Sequence, residues 1–110
     1  MEIDPRLERR PDEKIFTKRW ASCFAGTPLR NMLTALQVDT VIVTGVSTSH
    51  CVYATCRDGS SSFRVVIPRE AVGERCQIMH WTFLLDLDIN VGDVMPVDEV
   101  VDYFGQLSAG

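Results

Sequence analysis

Apolar residues in this chain follow two patterns, short continuous runs and one clear stripe with helical spacing. The runs around 41–43 and 63–67 are rich in β-branched residues, which is typical of parallel strands that are covered on both faces. The stripe has the spacing i, i+3, i+4 and i+7 and predicts a helix with Thr27 at the N-cap and Pro28 as its first residue. Its members are Leu29, Met32, Leu33 and Leu36.

The remaining pattern continues an alternation of strands and helices. We expect a short strand over 14–17, a helix from about 74 to 85, a strand over 92–95 and a helix from about 98 to 104. The residues predicted to pack inward from the two helices are Ile78, Met79, Phe83, Leu84 or Leu85, Val100, Val101 and Phe104. A strand, a helix and a strand in that order imply a parallel pair. The fold class is therefore α/β, a Rossmann-like parallel sheet with helices on both faces and an active site at the carboxyl ends of the strands.

Composition narrows the class of protein. At 110 residues, 45% apolar and 24% charged, the chain is one globular domain over 13–110 with an extended arm over 1–12. No apolar run approaches the roughly 20 residues of a membrane span, and a net charge of −4 gives no basic surface for nucleic acid. The N-terminus lacks the apolar core of a secretory signal, so we expect a cytoplasmic protein with reduced thiols.

The segment 38–58 is the strongest candidate for chemistry. Its buried strand ends at Gly45, and the cap-type residues that follow predict a helix start around Ser49. Cys51 then lies in the first turn, where backbone N–H groups lack internal partners and the local field favours a thiolate. Cys51 is either a nucleophile or a small buried cysteine that only packs. The spacing of the four cysteines and two histidines matches no metal site, so we expect neither a metal nor a cofactor.

Two segments of the chain resemble a known family. Residues 44–52, TGVSTSHCV, are similar to the T-G-x-x-T-x-x-C-V corner of the isochorismatase-like cysteine hydrolases. Residues 18–29, KRWASCFAGTPL, are similar to the upstream K-x-x-x-S-x-F-x-G-T-x-L of the same family. The resemblance covers about residues 13–105. Segments 67–70, 73–75, 86–88 and 92–94 look most like the N-carbamoylsarcosine amidohydrolase branch.

The resemblance implies a mechanism for the corner. Cys51 would attack a carbonyl carbon and form a thioester, which water then hydrolyses. Lys18 would hold the thiolate and guide proton transfer. The backbone N–H groups of Ser47 and Cys51 would form the oxyanion hole, and a cis peptide bond between Val46 and Ser47 would aim them.

The resemblance also implies a substrate class, a small molecule with an amide or carbamoyl group and a carboxylate. Arg75 would anchor the carboxylate, since a guanidinium can bind a carboxylate through two hydrogen bonds. The alternative for Arg75 is a surface ion pair with Glu70 or Glu74. Thr48 and Phe24, which belong to the two motifs, would complete the substrate-binding set.

The sequence departs from the family before the lysine motif. Family members carry a long N-terminal segment there, with a strand that supplies a catalytic aspartate, whereas 17 residues precede Lys18. Asp4 and Asp12 lie in no matching motif. We therefore expect an N-terminally truncated fold that hydrolyses its substrate weakly or not at all. We also expect a homo-oligomer, because a sheet that has lost strands exposes an edge and an apolar face.

Three functions compete. The first is a hydrolase of amide or carbamoyl C–N bonds. The second is a non-catalytic family member that serves as a binding or assembly module. The third is a thiol redox protein that uses Cys51 and Cys56, and it is disfavoured because five residues along a helix turn the two thiols to different faces.

Overall fold

The structure, a computed structural model, describes residues 3–109. The strands are β1 (Thr40–Ile42), β2 (Gly45–Val46), β3 (Arg64–Pro68), β4 (Val72–Gly73) and β5 (Asp93–Met95). The helices are α1 (Leu29–Ala35), α2 (Tyr53–Gly59), α3 (Gln77–Asn90) and α4 (Val97–Ala109). A π-helical turn, Thr48–Val52, leads into α2, and single turns of 3₁₀ helix lie at Pro5–Leu7 and Arg69–Ala71.

Every strand pairing in the described residues is parallel. β3 lies between β1 and β5, with Val41 opposite Val65 and Ile67 opposite Val94. β2 and β4 form a separate two-stranded ladder, which places Gly73 opposite Val46. Since α2 connects β1 with β3 and α3 connects β4 with β5, the predicted α/β class with a parallel sheet is confirmed.

The hydrophobic core is centred on β3. Val65 and Ile67 point to one face of the sheet, where they pack in one cluster with Cys56 of α2 and Leu84 and Leu87 of α3. Residue 66 points to the opposite face, on the side where α4 lies. The sheet therefore has helices on both faces, as expected from its continuous apolar run.

The bounds and the buried face of α3 differ from the prediction. The helix begins and ends later than expected, and Ile78 and Met79, which we expected to be buried, are 78% and 41% exposed. Of the two alternatives Leu84 and Leu85, Leu84 is buried, and Leu87, which the prediction left out, is buried as well. Apolar side chains occupy nearly the whole circumference of α3, so periodicity alone could not identify the face that packs against the sheet.

The strand predicted over 14–17 is wrong. This segment has no regular secondary structure, and its side chains, including Ile15 and Phe16, are exposed. Residues 3–12 before it contain the 3₁₀ turn and are exposed as well. A run of four residues has few internal contacts and forms a strand only where a neighbouring strand pairs with it.

The helix predicted after Thr27 is confirmed as α1, with two differences. Its first residue is Leu29, with Pro28 at the N-cap position. The Thr27 hydroxyl accepts the Leu29 N–H at 3.4 Å and donates to the Cys23 carbonyl at 2.5 Å, so it still supports the helix start. Leu36, which we placed in the buried stripe, follows the last turn and is exposed.

The strand and the helix predicted near the C-terminus are both present. β5 lies within the strand predicted over 92–95, and α4 extends further than expected in both directions. Val100 is buried as predicted, whereas Val101 and Phe104 are at least half exposed. None of the helices in residues 3–109 is long and apolar enough to cross a membrane.

Candidate active site

Cys51 lies in the turn between β2 and α2. The peptide bond between Val46 and Ser47, directly after β2, is cis, which confirms the prediction. Gly45 has a φ of +114°, a backbone conformation that residues with a side chain rarely adopt. The π-helical turn Thr48–Val52 follows and holds Cys51 half-buried. The predicted helix start is therefore present, although its first turn is π-helical.

Lys18 lies next to the cysteine. Its ammonium is 3.7 Å from Cys51 Sγ, and it also donates to the carbonyl oxygens of Trp20 at 3.2 Å and Ala21 at 3.3 Å. The two carbonyl contacts hold the ammonium in place beside the sulfur. In the described part of the chain, Lys18 is the hydrogen-bond partner of Cys51 Sγ, and no carboxylate takes that position.

The loop that carries Lys18 is attached to the helix that follows Cys51. The Cys23 N–H donates to the Thr55 hydroxyl of α2 at 3.0 Å, and the neighbouring Ser22 is buried. Thr55 itself is almost fully buried. A single packed unit therefore positions both Lys18 and Cys51, although they are far apart in sequence.

Thr48 occupies an interior position. Its side chain is fully buried, and its Oγ1 is 2.8 Å from Nδ1 of His80 on α3. This contact joins the π-helical turn to α3. The Thr48 hydroxyl is thus engaged with His80, and a contact of Thr48 with the substrate stays a prediction.

Phe24 lies at the other end of α2 from Cys51. Its ring stacks on Phe63 with centroids 6.1 Å apart, and the Arg30 guanidinium lies 4.8 Å above it. The same ring packs against Gly59, the last residue of α2. Gly59 lies eight positions after Cys51 along the helix, roughly 12 Å along the axis. Direct contact of Phe24 with a substrate at Cys51 is therefore not part of the function proposed below.

Arg75 is exposed in the linker between β4 and α3. The two carboxylates that we considered as its ion-pair partners make other contacts. Glu70 contacts Arg69 and accepts the Val97 N–H at 2.8 Å, and Glu74 accepts hydrogen bonds from Ser49. In residues 3–109, Arg75 forms no ion pair, so its guanidinium remains available to a ligand.

Sequence reasoning missed two polar residues, one before α3 and one on it, that bond to the π-helical turn and to α2. Glu74 accepts the Ser49 N–H at 3.1 Å and also the Ser49 hydroxyl. The Tyr53 hydroxyl donates to Asp86 at 2.6 Å, which raises the pKa of Tyr53 and lowers the pKa of Asp86. The available signal was the placement of polar residues among the apolar ones of α3.

The other cysteines have different surroundings. Burial raises the pKa of the Cys56 thiol to about 12, with a further contribution from nearby Cys23. Cys76 is exposed, and all four thiols are free. In residues 3–109, no three His, Cys, Asp or Glu side chains are grouped in a way that could hold a metal ion.

The fold and the corner together define the class of protein. A parallel α/β sheet presents a cysteine at the start of the helix that follows a strand, after a cis peptide bond and beside a lysine ammonium. Residues 1–99 match the sequence model of the isochorismatase domain. The chain therefore belongs to the isochorismatase family.

Two curated relatives and one solved structure are similar to this chain. N-carbamoylsarcosine amidase from Arthrobacter is 40% identical over 96% of this chain and 40% of its own length. Maleamate amidohydrolase from Pseudomonas putida is 36% identical over 87% of this chain and 46% of its own. The crystal structure of an isochorismatase-like hydrolase from Alkaliphilus metalliredigens superposes with a TM-score of 0.87 at 34% identity, covering 94% of this chain and 57% of that one. The chain thus spans less than half the length of the two curated relatives.

Proposed function

We propose that this chain carries the nucleophile of a cysteine amidohydrolase that cleaves C–N bonds in small carboxylate-bearing substrates. The observation that carries the proposal is the 3.7 Å contact between the Lys18 ammonium and the Cys51 sulfur. The names of the two curated relatives, an amidase and an amidohydrolase, support the same reaction class.

The reaction proceeds in two displacements at one carbonyl carbon. The Cys51 thiolate forms an S–C bond, and the electron pair of the carbonyl moves to oxygen. The C–N bond then breaks, and the departing nitrogen takes a proton, leaving a thioester. Water adds to the thioester carbon, the S–C bond breaks, and the carboxylic acid leaves as the thiolate is restored.

The turn and the lysine have separate roles in these steps. The N–H groups of Ser47 and Cys51 are the proposed donors to the oxyanion, since both belong to the corner formed by the cis peptide bond and the π-helical turn. The Lys18 ammonium stabilises the thiolate by charge. Arg75, exposed and without an ion pair in the described residues, is the proposed anchor for the substrate carboxylate.

Protonation of the departing nitrogen is the weak step of the 110-residue chain. General acid–base assistance is worth about 10²–10⁴ in rate. Asp4 forms an ion pair with Arg6 at 2.6 Å, and no carboxylate of the described residues is hydrogen-bonded to Cys51. Because the nitrogen departs during acylation, we expect Cys51 to be acylated slowly and turnover to be poor. Rapid turnover by this chain alone would contradict that expectation.

Ammonia release and intact-mass spectrometry together test the proposal. The chain is incubated with N-carbamoyl amino acids, maleamate and nicotinamide, then quenched in acid. We expect slow ammonia release with at least one substrate, and the acid quench traps the acyl adduct that forms on Cys51 at the same slow rate. Cys51→Ala removes both signals, and Cys76→Ala, which changes an exposed thiol, keeps both. If no substrate gives an adduct or ammonia, the hydrolase proposal fails and a non-catalytic binding module is favoured.

A further inference from the structure

Strand pairing brings an acidic residue to the turn that carries Cys51. β2 and β4 are parallel, with Val46 opposite Gly73, so Glu74 follows directly beside the cis peptide bond. The Glu74 carboxylate accepts the backbone N–H of Ser49 at 3.1 Å and the Ser49 hydroxyl through the same oxygen. The carboxylate of Glu74, directly after β4, thus accepts a backbone N–H that has no helical partner at this helix start.

The turn has no side-chain cap of its own. Ser47 is its N-cap residue, and the Ser47 side chain makes no capping hydrogen bond. The bonds from Ser49 to Glu74 and from Thr48 to His80 therefore attach two consecutive residues of the turn to one segment, residues 74–80. Cys51 lies two residues beyond this attachment.

The Glu74 carboxylate depends on Ser49 in return. Its second oxygen, Oε2, is buried and has no hydrogen-bond partner in the described part of the chain. A buried carboxylate oxygen without a partner is costly, and the two bonds that Ser49 donates to the other oxygen offset part of that cost. The two groups form a mutually dependent pair.

We propose that Glu74 is a positioning residue: through Ser49 it holds the π-helical turn in the conformation that presents the Cys51 thiol and the peptide N–H groups of the oxyanion hole. The inference rests on the proposed role of Cys51 as the nucleophile. It makes no use of direct contact between Glu74 and a substrate. It also assigns a function to the pairing of β2 with β4.

Alkylation by iodoacetamide tests the proposal. Mass spectrometry measures the alkylation rates of Cys51 and of exposed Cys76 in the same molecule, and the readout is the ratio of the Cys51 rate to the Cys76 rate. Loss of a capping acceptor changes an equilibrium by about tenfold, so Glu74→Ala should lower the Cys51 to Cys76 ratio about tenfold. Glu74→Gln keeps an oxygen that can accept from the Ser49 N–H and should restore most of the ratio. Glu70→Ala removes a carboxylate from the same region without touching the turn and should leave the ratio unchanged.

A second measurement separates positioning from general stability. Circular dichroism and urea unfolding of each variant establish that the protein is folded when it is alkylated. A ratio in Glu74→Ala equal to the wild-type ratio, or lowered no more than in Glu70→Ala, overturns the proposal. Because alkylation requires no turnover, a chain that hydrolyses nothing but loses its Cys51 preference in Glu74→Ala contradicts the proposed hydrolase and supports the positioning role.

Discussion

At the residue scale, the candidate chemistry depends on contacts between side chains that are distant in sequence. Lys18 and Cys51 are 33 positions apart, and Ser49 and Glu74 are 25 apart. Each contact joins a residue of the turn to a separate segment of the chain. Reactivity at Cys51 should therefore respond to substitutions in those segments as well as in the turn itself.

Removal of the Lys18 charge should slow the reaction of Cys51. A hydrogen bond to a charged group is worth about 1.5–3 kcal/mol, so we expect Lys18→Met to lower the rate of Cys51 alkylation about 10- to 100-fold. Lys14→Met, which removes an exposed lysine of the same segment, is the matched control. Equal rates in Lys18→Met and the wild type would contradict the role given to Lys18.

Burial of Cys56 should make stability depend on pH in the alkaline range. Because the pKa of the folded thiol is raised from 9.0 to about 12, the folded protein binds this proton more tightly than the unfolded chain does. The resulting stability is fully present below pH 9.0 and decreases as the pH rises toward 12. Urea unfolding midpoints of the wild type and Cys56→Ala, compared across that range, measure the effect.

We expect the midpoint to fall more steeply with pH in the wild type than in Cys56→Ala. Lysines and tyrosines titrate in both proteins and cancel in the comparison. Parallel pH profiles would show that the thiol does not contribute.

At the element scale, the turn from α3 to β5 allows the closest approach between a helix end and the sheet. The N–H of Gly92 donates to the Leu87 carbonyl at 2.9 Å, which closes the helix. A Cβ added to Gly92 would lie 2.4 Å from the carbonyl oxygen of Val65 and 3.0 Å from the Cβ of Val65. Glycine is required here by space rather than by its backbone conformation.

Two glycine substitutions should have opposite effects on stability. Gly92→Ala forces β3 and the end of α3 apart, and we expect it to lower the free energy of unfolding by about 1–3 kcal/mol. Gly105→Ala replaces a glycine inside α4, where nothing lies within 4 Å of the added Cβ. We expect this substitution to raise the free energy of unfolding by about 0.5–1 kcal/mol. Urea unfolding measures both. Similar stability of Gly92→Ala and the wild type would contradict the close packing at this turn.

At the scale of the whole molecule, α3 presents an apolar stripe to solvent. Ile78, Leu85 and Ile89 are 78%, 60% and 69% exposed and lie along one side of the helix, beside Trp81. The opposite side packs on the sheet through Leu84 and other core residues. A helix that is apolar on both sides is typical of one covered on both sides.

We predict that a second copy of this chain covers the stripe. Light scattering at micromolar concentration should give a mass above the 12.4 kDa of one chain. The double substitution of Leu85→Glu with Ile89→Glu should reduce the mass to that of a monomer, because charged side chains cannot be buried there without partners. Asn31→Glu on α1 is the control and should leave the mass unchanged. A monodisperse wild-type monomer would contradict the prediction.

Local patterns were sufficient to predict most elements. The β-branched runs identified β1 and β3, and the residues after Gly45 predicted a helix start with Cys51 near its first turn. The motif around Cys51 also correctly predicted the cis peptide bond at Val46. The cis bond followed from the family resemblance, whereas the strands and the helix start depend on residues close in sequence, whose steric and hydrogen-bonding preferences act without the rest of the fold.

The tertiary structure decided which faces are buried and which polar groups meet. Periodicity could not identify Leu87 or exclude Ile78 from the packing face of α3, because apolar residues surround the helix. The bond between Glu74 and Ser49 depends on the pairing of β4 with β2, and no local pattern encodes it. The sequence by itself determined most of the elements and the position of the candidate nucleophile, whereas packing between distant segments determined the surroundings of its sulfur.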